Sequence, residues 1–164
     1  PLAVAQALNA TFYSPGSLRF VTLVYGVLDL RTWRLELVSA GHPAPMLRRA
    51  AGAMESQEIV AHPLGLFPAE LAQFTTWDVA LEPGDRLLFV SDGVLEATGY
   101  PEHNLTNPSE AFGADRLEHI WQATGTVSVE DALTSVMDEL AGWRGRGRLD
   151  DDITALAVGR MSNP

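Results

Sequence analysis

The amino-acid sequence predicts an α+β fold with a largely antiparallel sheet. The N-terminal part holds short, β-branched apolar segments separated by turn residues, which is typical of strands joined by hairpins. Helical spacing of apolar residues follows, and a last apolar run at 153–158 resembles a strand again. Strands followed by helices and a final strand favour α+β over an alternating α/β fold. Because no internal repeat or linker is visible, we expect residues 1–164 to form a single domain.

The N-terminal segments have the patterns of one helix and several strands. Apolar residues three or four positions apart predict a helix over 1–12, which ends at the Ser-Pro-Gly sequence after it. Residues 20–29 are apolar on both faces, which predicts a central strand covered on each side. In 33–39 leucines alternate with charged residues, which predicts a hairpin partner with the leucines facing inwards. The further strands predicted in this part are 45–49, 73–81 and 86–91.

The C-terminal segments have helical spacing. Apolar residues between 112 and 121 predict one short helix. Ser128 and Asp131 resemble a capping box, with Asp in place of Glu or Gln, and predict the start of a second helix. The buried stripe expected on that helix is Ala132, Leu133, Val136, Met137 and Leu140.

Composition excludes several classes of protein. Twenty-one acidic residues against 11 basic ones give a net charge of −10, the opposite of what a nucleic-acid binder needs. No apolar run approaches the roughly 20 residues of a membrane span, and no basic leader is visible. The chain has no cysteine, which excludes disulfides and thiolate metal sites and fits the reducing cytoplasm.

Acidic residues stand at the ends of two apolar runs. Asp92 follows the predicted strand 86–91, and three consecutive aspartates at 150–152 precede the run 153–158. We expect the two strand ends to meet, so that Asp92 and the second cluster share a divalent cation such as Mg²⁺ or Mn²⁺. Each cluster also has a simpler interpretation, since Asp-Gly is a common turn and adjacent carboxylates are tolerated in a solvated loop.

Other polar residues give weaker signals. The four histidines show no metal-ligand spacing, so His42 is expected to be structural or solvated. Arg144, Arg146 and Arg148 alternate with glycine. They could bind a substrate phosphate, but a solvated loop is our interpretation. The sequence contains no phosphate-cradling glycine motif and no serine nucleophile elbow.

Six motifs resemble, in order, the bacterial SpoIIE-like branch of the metal-dependent PPM serine/threonine phosphatases (protein phosphatase 2C-like). They are 20–30, 39–45, 63–65, 83–87, 91–94 with Glu96, and 151–154. The resemblance implies an antiparallel β-sandwich flanked by helices, with two Mn²⁺ or Mg²⁺ ions at one end. It implies that Asp92 and Asp151 are metal ligands. Asp152 stands where relatives often have Asn and is not assigned a metal.

The resemblance also implies a reaction and a substrate. Water bridging the two metals would hydrolyse phosphoserine or phosphothreonine without a phosphoenzyme. The implied substrate is a small phosphorylated regulatory protein of the anti-anti-sigma type, in bacterial signalling that controls a sigma factor.

Two acidic motifs of that family, a Gly-Asp type and an Asp followed by Gly-His-Gly, are absent. Two aspartates cannot hold two divalent ions, because each ion prefers about six oxygen ligands. We therefore expect a partial domain that lacks its N-terminal strands. Its exposed sheet edge would be covered by a second copy or by the missing segment. The alternatives are a catalytically inactive phosphatase-fold scaffold and a plain β-rich binding domain with incidental acidic turns.

Overall fold

The structure, a computed structural model, describes residues 1–57, 61–99, 110–125, 127–145 and 151–161. Its helices and strands are, in chain order, α1 (Leu2–Phe12), β1 (Leu23–Asp29), β2 (Arg34–Ala40), β3 (Met46–Arg48), β4 (Met54–Ser56), β5 (Thr75–Ala80), β6 (Arg86–Val90), α2 (Asp92–Leu95), α3 (Ala114–Ala123), α4 (Val129–Arg144) and β7 (Ala155–Gly159). The chain divides into two compact units, Pro1–Ala44 with Gln57–Glu82, and Pro45–Ser56 with Pro83–Pro164. Among the helices described, none has both the length and the apolar character of a membrane span.

The first unit contains α1 and a three-stranded antiparallel sheet in the order β1-β2-β5. The predicted hairpin is confirmed, with register from Leu23↔Ala40 to Asp29↔Arg34. Leu35 and Leu37 are buried as predicted. The Asp29 carboxylate accepts the Arg31 backbone N–H at 2.8 Å, which fixes the turn. That hydrogen bond lowers the pKa of Asp29.

Strand β1 differs from its prediction. In the described chain β1 pairs with β2 alone and forms the edge of its sheet. The Tyr25 and Val27 side chains are 37% and 50% exposed. The prediction of a strand covered on both faces is therefore wrong for these residues. An apolar pattern on both faces indicates where a strand lies. It does not show whether another element packs against each face.

Two of the motif loops in this unit have structural roles. Gly41 has φ +67°, and a Cβ atom there would lie 2.6 Å from Pro63 Cγ. The buried Asn9 side chain accepts the Gly65 N–H at 2.8 Å and donates to the Phe67 carbonyl at 3.1 Å. Helix α1 therefore holds the loop at 63–67 through one amide side chain.

The second unit contains a four-stranded antiparallel sheet, ordered β4-β3-β6-β7, and helices α2, α3 and α4. Its core consists of Met46, Leu88, Val90, Val94, Ala97, Phe112, Leu117, Trp121, Ala132, Val136 and Leu140. Ser128 caps α4 as predicted, because its hydroxyl accepts the Asp131 N–H at 3.0 Å. The predicted stripe is only partly buried, since Met137 is 36% exposed. The two antiparallel sheets with accompanying helices confirm the α+β prediction.

The turn between β3 and β4 is held by a buried carboxylate. Asp85 is fully buried, and it accepts hydrogen bonds from Arg49 Nη1 at 2.7 Å and from the Ala50 N–H at 2.9 Å. Arg49 also binds Glu55 through two hydrogen bonds, of 2.7 and 2.9 Å. These bonds to Arg49 lower the pKa of Glu55. Asp85, in the motif at 83–87, therefore positions backbone in this structure.

We predict that Asn9→Ala destabilises the protein by about 1–3 kcal/mol, because it leaves the buried Gly65 N–H without an acceptor. The free energy of unfolding in urea measures the loss. Thr11→Ala is the matched control on the same helix, because the Thr11 hydroxyl is exposed and, within the described residues, bonds only to Ala7 one turn back. Equal stability of the two variants would contradict the role given to Asn9.

Candidate metal-binding site

Asp92 stands where β6 changes into a helix. β6 ends at Val90, Ser91 is extended with ψ 161°, and Asp92 is the first residue of α2. The helix forms because the Ser91 carbonyl accepts the Val94 N–H at 3.1 Å and the Asp92 carbonyl accepts the Glu96 N–H at 2.8 Å. One oxygen of the Asp92 carboxylate, Oδ1, accepts the Gly93 N–H at 3.0 Å. The exposed carboxylate therefore projects from the end of a buried strand.

Asp151 stands at the same end of the strand pair, just before β7. β7 pairs with β6 in antiparallel register, with Val90 opposite Ala155. The ladder extends one step further, because the Ser91 N–H donates to the Thr154 carbonyl at 2.9 Å. Asp151 precedes this step, is exposed, and accepts the Asp152 N–H on Oδ1 at 2.7 Å.

Gly93 allows the two acidic segments to approach closely. A Cβ atom at Gly93 would lie 3.4 Å from Asp151 Cβ and 3.1 Å from the Asp152 carbonyl carbon. The residue after Asp92 is therefore in contact with the segment that carries Asp151. The structure places the two strand ends side by side, as the sequence predicted, while their binding of a metal stays a prediction.

The donor set suits a hard cation. Within the described ranges, neither Asp92 nor Asp151 forms an ion pair with a cationic side chain. Carboxylate oxygens are the ligands that Mg²⁺ and Mn²⁺ prefer, and Mg²⁺ is often held by one or two carboxylates with water and substrate phosphate. These residues therefore fit part of one divalent-cation site.

The same residues do not complete a site for two ions. In the part of the chain that the structure describes, no group of three or more His, Cys, Asp or Glu side chains is arranged to hold a metal ion. Two aspartates leave most of the positions around two ions to water, phosphate or further protein ligands.

The other candidate residues are His42, Arg144 and four residues outside the described ranges. The His42 carbonyl accepts the Ser39 hydroxyl at 3.2 Å in the loop after β2. Arg144 is the last residue of α4. The candidates outside the described residues are His103, Arg146, Arg148 and Asp150.

Ser91 and Gly93 are functional candidates that the sequence analysis did not single out. Gly93 has no room for a side chain, and the Ser91 hydroxyl bonds across to the segment of Asp151. The only local signal is their position on either side of an aspartate at a strand end, which an ordinary turn would share.

The chain matches the model of the family described as Stage II sporulation protein E (SpoIIE) over residues 1–161. The chain therefore belongs to the SpoIIE family. This confirms the family that the six motifs predicted.

Two curated relatives of the chain are much longer than the matched region. It is 28% identical to Protein IcfG of Synechocystis over 141 residues, which are 86% of this chain and 21% of that protein. It is also 28% identical to the phosphoserine phosphatase RsbP of Bacillus subtilis over 79 residues, which are 48% of this chain and 19% of RsbP. The chain spans about a fifth of each relative.

Solved structures share the fold. The RsbU and RsbW domains of Rv1364c from Mycobacterium tuberculosis match at 26% identity and TM-score 0.65, covering 87% of this chain and 37% of that one. A SpoIIE phosphatase domain with a regulatory fragment from Bacillus subtilis matches at 19% identity and TM-score 0.72, covering 95% and 43%. RsbX in complex with magnesium matches at 12% identity and TM-score 0.63, covering 95% and 62%. These likenesses confirm the predicted fold class. The chain spans only part of each matched structure.

We predict that Gly93→Ala destabilises the protein by roughly 1–3 kcal/mol, because the new methyl group would overlap the Asp152 carbonyl and force the backbone apart. Gly142→Ala is the matched control, because a Cβ atom there meets nothing within 4 Å and the position is helical. The control should be neutral or stabilise by up to about 1 kcal/mol. Urea unfolding of both variants measures the difference. A Gly93→Ala variant as stable as the control would show that the two segments are not in close contact.

Proposed function

We propose that residues 1–164 are part of one metal-dependent protein serine/threonine phosphatase domain. The observation that carries this proposal is the contact between the Asp92 and Asp151 segments at the paired ends of β6 and β7. The family match over 1–161, which extends through both compact units, supports it.

In this proposal Asp92 and Asp151 hold a Mn²⁺ or Mg²⁺ ion. Each carboxylate has Oδ1 engaged by a backbone N–H, while Oδ2 has no protein partner among the described residues. Oδ2 of each residue is therefore available to a cation. The bound ion would lower the pKa of a water molecule and neutralise charge on the phosphoryl oxygens. A second ion needs ligands beyond these two aspartates.

The protein's own contribution is the fixed position of the two carboxylates. Asp92 follows a strand whose Leu87, Leu88 and Val90 side chains are buried, so its backbone has little freedom to move. Asp151 is held through the backbone of Asp152 and Thr154 against that strand end. Hydrolysis at a phosphoryl group needs such a rigid arrangement, because positioning and charge stabilisation account for most of its catalysis.

The proposed substrate is a phosphoserine or phosphothreonine on a small regulatory protein of the anti-anti-sigma type. The relative RsbP is a phosphoserine phosphatase, and the matched Rv1364c structure contains RsbU and RsbW domains, which supports a role in bacterial signalling. A net charge of −10 disfavours nucleic acid as the partner. We place the reaction in the cytoplasm, because a chain without cysteine forms no disulfides and needs no oxidising compartment.

The second candidate function is a phosphatase-fold scaffold that binds phosphoproteins without hydrolysing them. The observation that favours it is the lack, among the described residues, of a group of three metal-ligating side chains. Both candidates leave the exposed edge of β1 open to a second copy of the chain or to a further N-terminal segment. Metal-dependent turnover separates the two candidates.

We predict that the full-length protein hydrolyses p-nitrophenyl phosphate only with Mn²⁺ or Mg²⁺. Asp92→Asn and Asp151→Asn should each lower kcat/KM by at least about a hundredfold, because a cation's stabilisation of the developing charge is worth several kcal/mol. Asp138→Asn is the control, because Asp138 is an exposed carboxylate on α4 outside the site, and it should match wild type.

The outcomes separate the candidates clearly. Loss of turnover in both site variants, with Asp138→Asn unchanged, supports the phosphatase. A wild-type protein that shows no metal-dependent turnover but binds a phosphorylated regulatory protein would establish the scaffold instead.

A further inference from the structure

Ser91 joins β6 and β7 in a way that a regular strand residue cannot. A hydrogen-bonded pair in an antiparallel ladder exchanges two bonds, each backbone N–H donating to the opposite carbonyl. The Ser91 N–H donates to the Thr154 carbonyl at 2.9 Å, which is the first of these bonds. The return bond is different, because the Thr154 N–H donates to the Ser91 hydroxyl at 3.0 Å.

This exchange frees the Ser91 carbonyl for the helix. The carbonyl accepts the Val94 N–H at 3.1 Å, which begins α2. The Ser91 hydroxyl accepts the bond that the Ser91 carbonyl would accept in a regular ladder. Ser91 can therefore end the strand pair and begin the helix. Asp92 is the residue turned outwards at this change of direction.

The same hydroxyl also reaches the residue next to Asp151. Ser91 Oγ donates to the Asp152 carbonyl at 3.0 Å, so it uses its one proton there and accepts from Thr154. Ser91 is bonded directly to Asp92 in the chain, and Asp152 is bonded directly to Asp151. A single side chain therefore connects the backbones that carry the two carboxylates.

We propose that Ser91 is a positioning residue, whose hydroxyl sets the separation of the Asp92 and Asp151 carboxylates and so the affinity for a divalent cation. This inference rests on the proposed function. Both side-chain bonds of Ser91 lie at exposed positions, so water can replace them and the fold survives their loss. Water cannot hold the two backbone segments at one distance, because it is not attached to either of them.

The test is a calorimetric titration of the full-length protein with Mn²⁺. Ser91→Ala should weaken Mn²⁺ binding by about tenfold or more, which is typical for the loss of a group that orients metal ligands. Ser91→Thr keeps the hydroxyl and should bind close to the wild-type affinity. Ser91→Cys keeps nearly the same side-chain volume but forms weak hydrogen bonds, so it should behave like Ser91→Ala. The cysteine variant decides the question if the alanine variant does not fold.

A second readout separates positioning from general stability. In Ser91→Ala, the Mn²⁺ concentration for half-maximal hydrolysis should rise about tenfold, while KM for p-nitrophenyl phosphate at saturating Mn²⁺ stays unchanged. Ser128→Ala is the matched control, because Ser128 caps α4 through its hydroxyl in the same unit. It should lower the melting temperature without changing Mn²⁺ affinity.

Failure of this inference differs from failure of the proposed function. If wild type binds no Mn²⁺, the proposed metal site is wrong and the role of Ser91 is wrong with it. If wild type binds Mn²⁺, Asp92→Asn does not, and Ser91→Ala binds as tightly as wild type, only the positioning role is overturned. A loss of affinity in Ser128→Ala equal to that in Ser91→Ala would also overturn it.

Discussion

The candidate site depends on the antiparallel pairing of β6 with β7. In an antiparallel pair the end of one strand lies beside the start of the other, so residues far apart in sequence become neighbours. The register with Val90 opposite Ala155 fixes which residues meet beyond the ladder. Leu88 and Val90 of β6 are buried in one core cluster with residues of α3 and α4, such as Trp121 and Val136, and this packing holds β6 in place. Core packing therefore fixes the place where Asp92 and Asp151 come together.

Contact between two segments that each carry a carboxylate has an electrostatic cost, and small residues allow it. Both side chains are exposed, so water screens their mutual repulsion. Gly93 removes the side chain that would separate the segments, and the Ser91 hydroxyl satisfies backbone groups that an interrupted ladder leaves open. A solvated turn needs neither feature. A site that gathers negative charge for a cation needs both, because the segments that carry the carboxylates must stay in contact when the cation is absent.

Local patterns predicted much of the fold but only part of the site. Helix α4, its Ser128 cap and the β1–β2 hairpin each depend on neighbouring residues, and their patterns were sufficient. Strand β4 was not predicted, because Met54–Ser56 contains one apolar residue followed by two polar ones and so shows no apolar pattern. The exposure of β1 was mispredicted, because exposure depends on a neighbour that the pattern does not contain. The role of Ser91 could not be predicted, since its partners lie 61 and 63 positions away.

The six motifs differ in what they say about activity. Gly41 packs on Pro63, Gly65 bonds to Asn9, and Asp85 is a buried partner of Arg49. These residues hold backbone in place, so a chain that kept only the fold would still require them. An inactive relative and an active enzyme would therefore share most of the motifs that identify the family. Among the six motifs, those at 91–94 and 151–154 bring two backbone segments into contact, and each segment carries an aspartate without an ionic partner among the described residues. The argument for catalysis therefore depends on these two segments, and family membership by itself establishes the architecture around them.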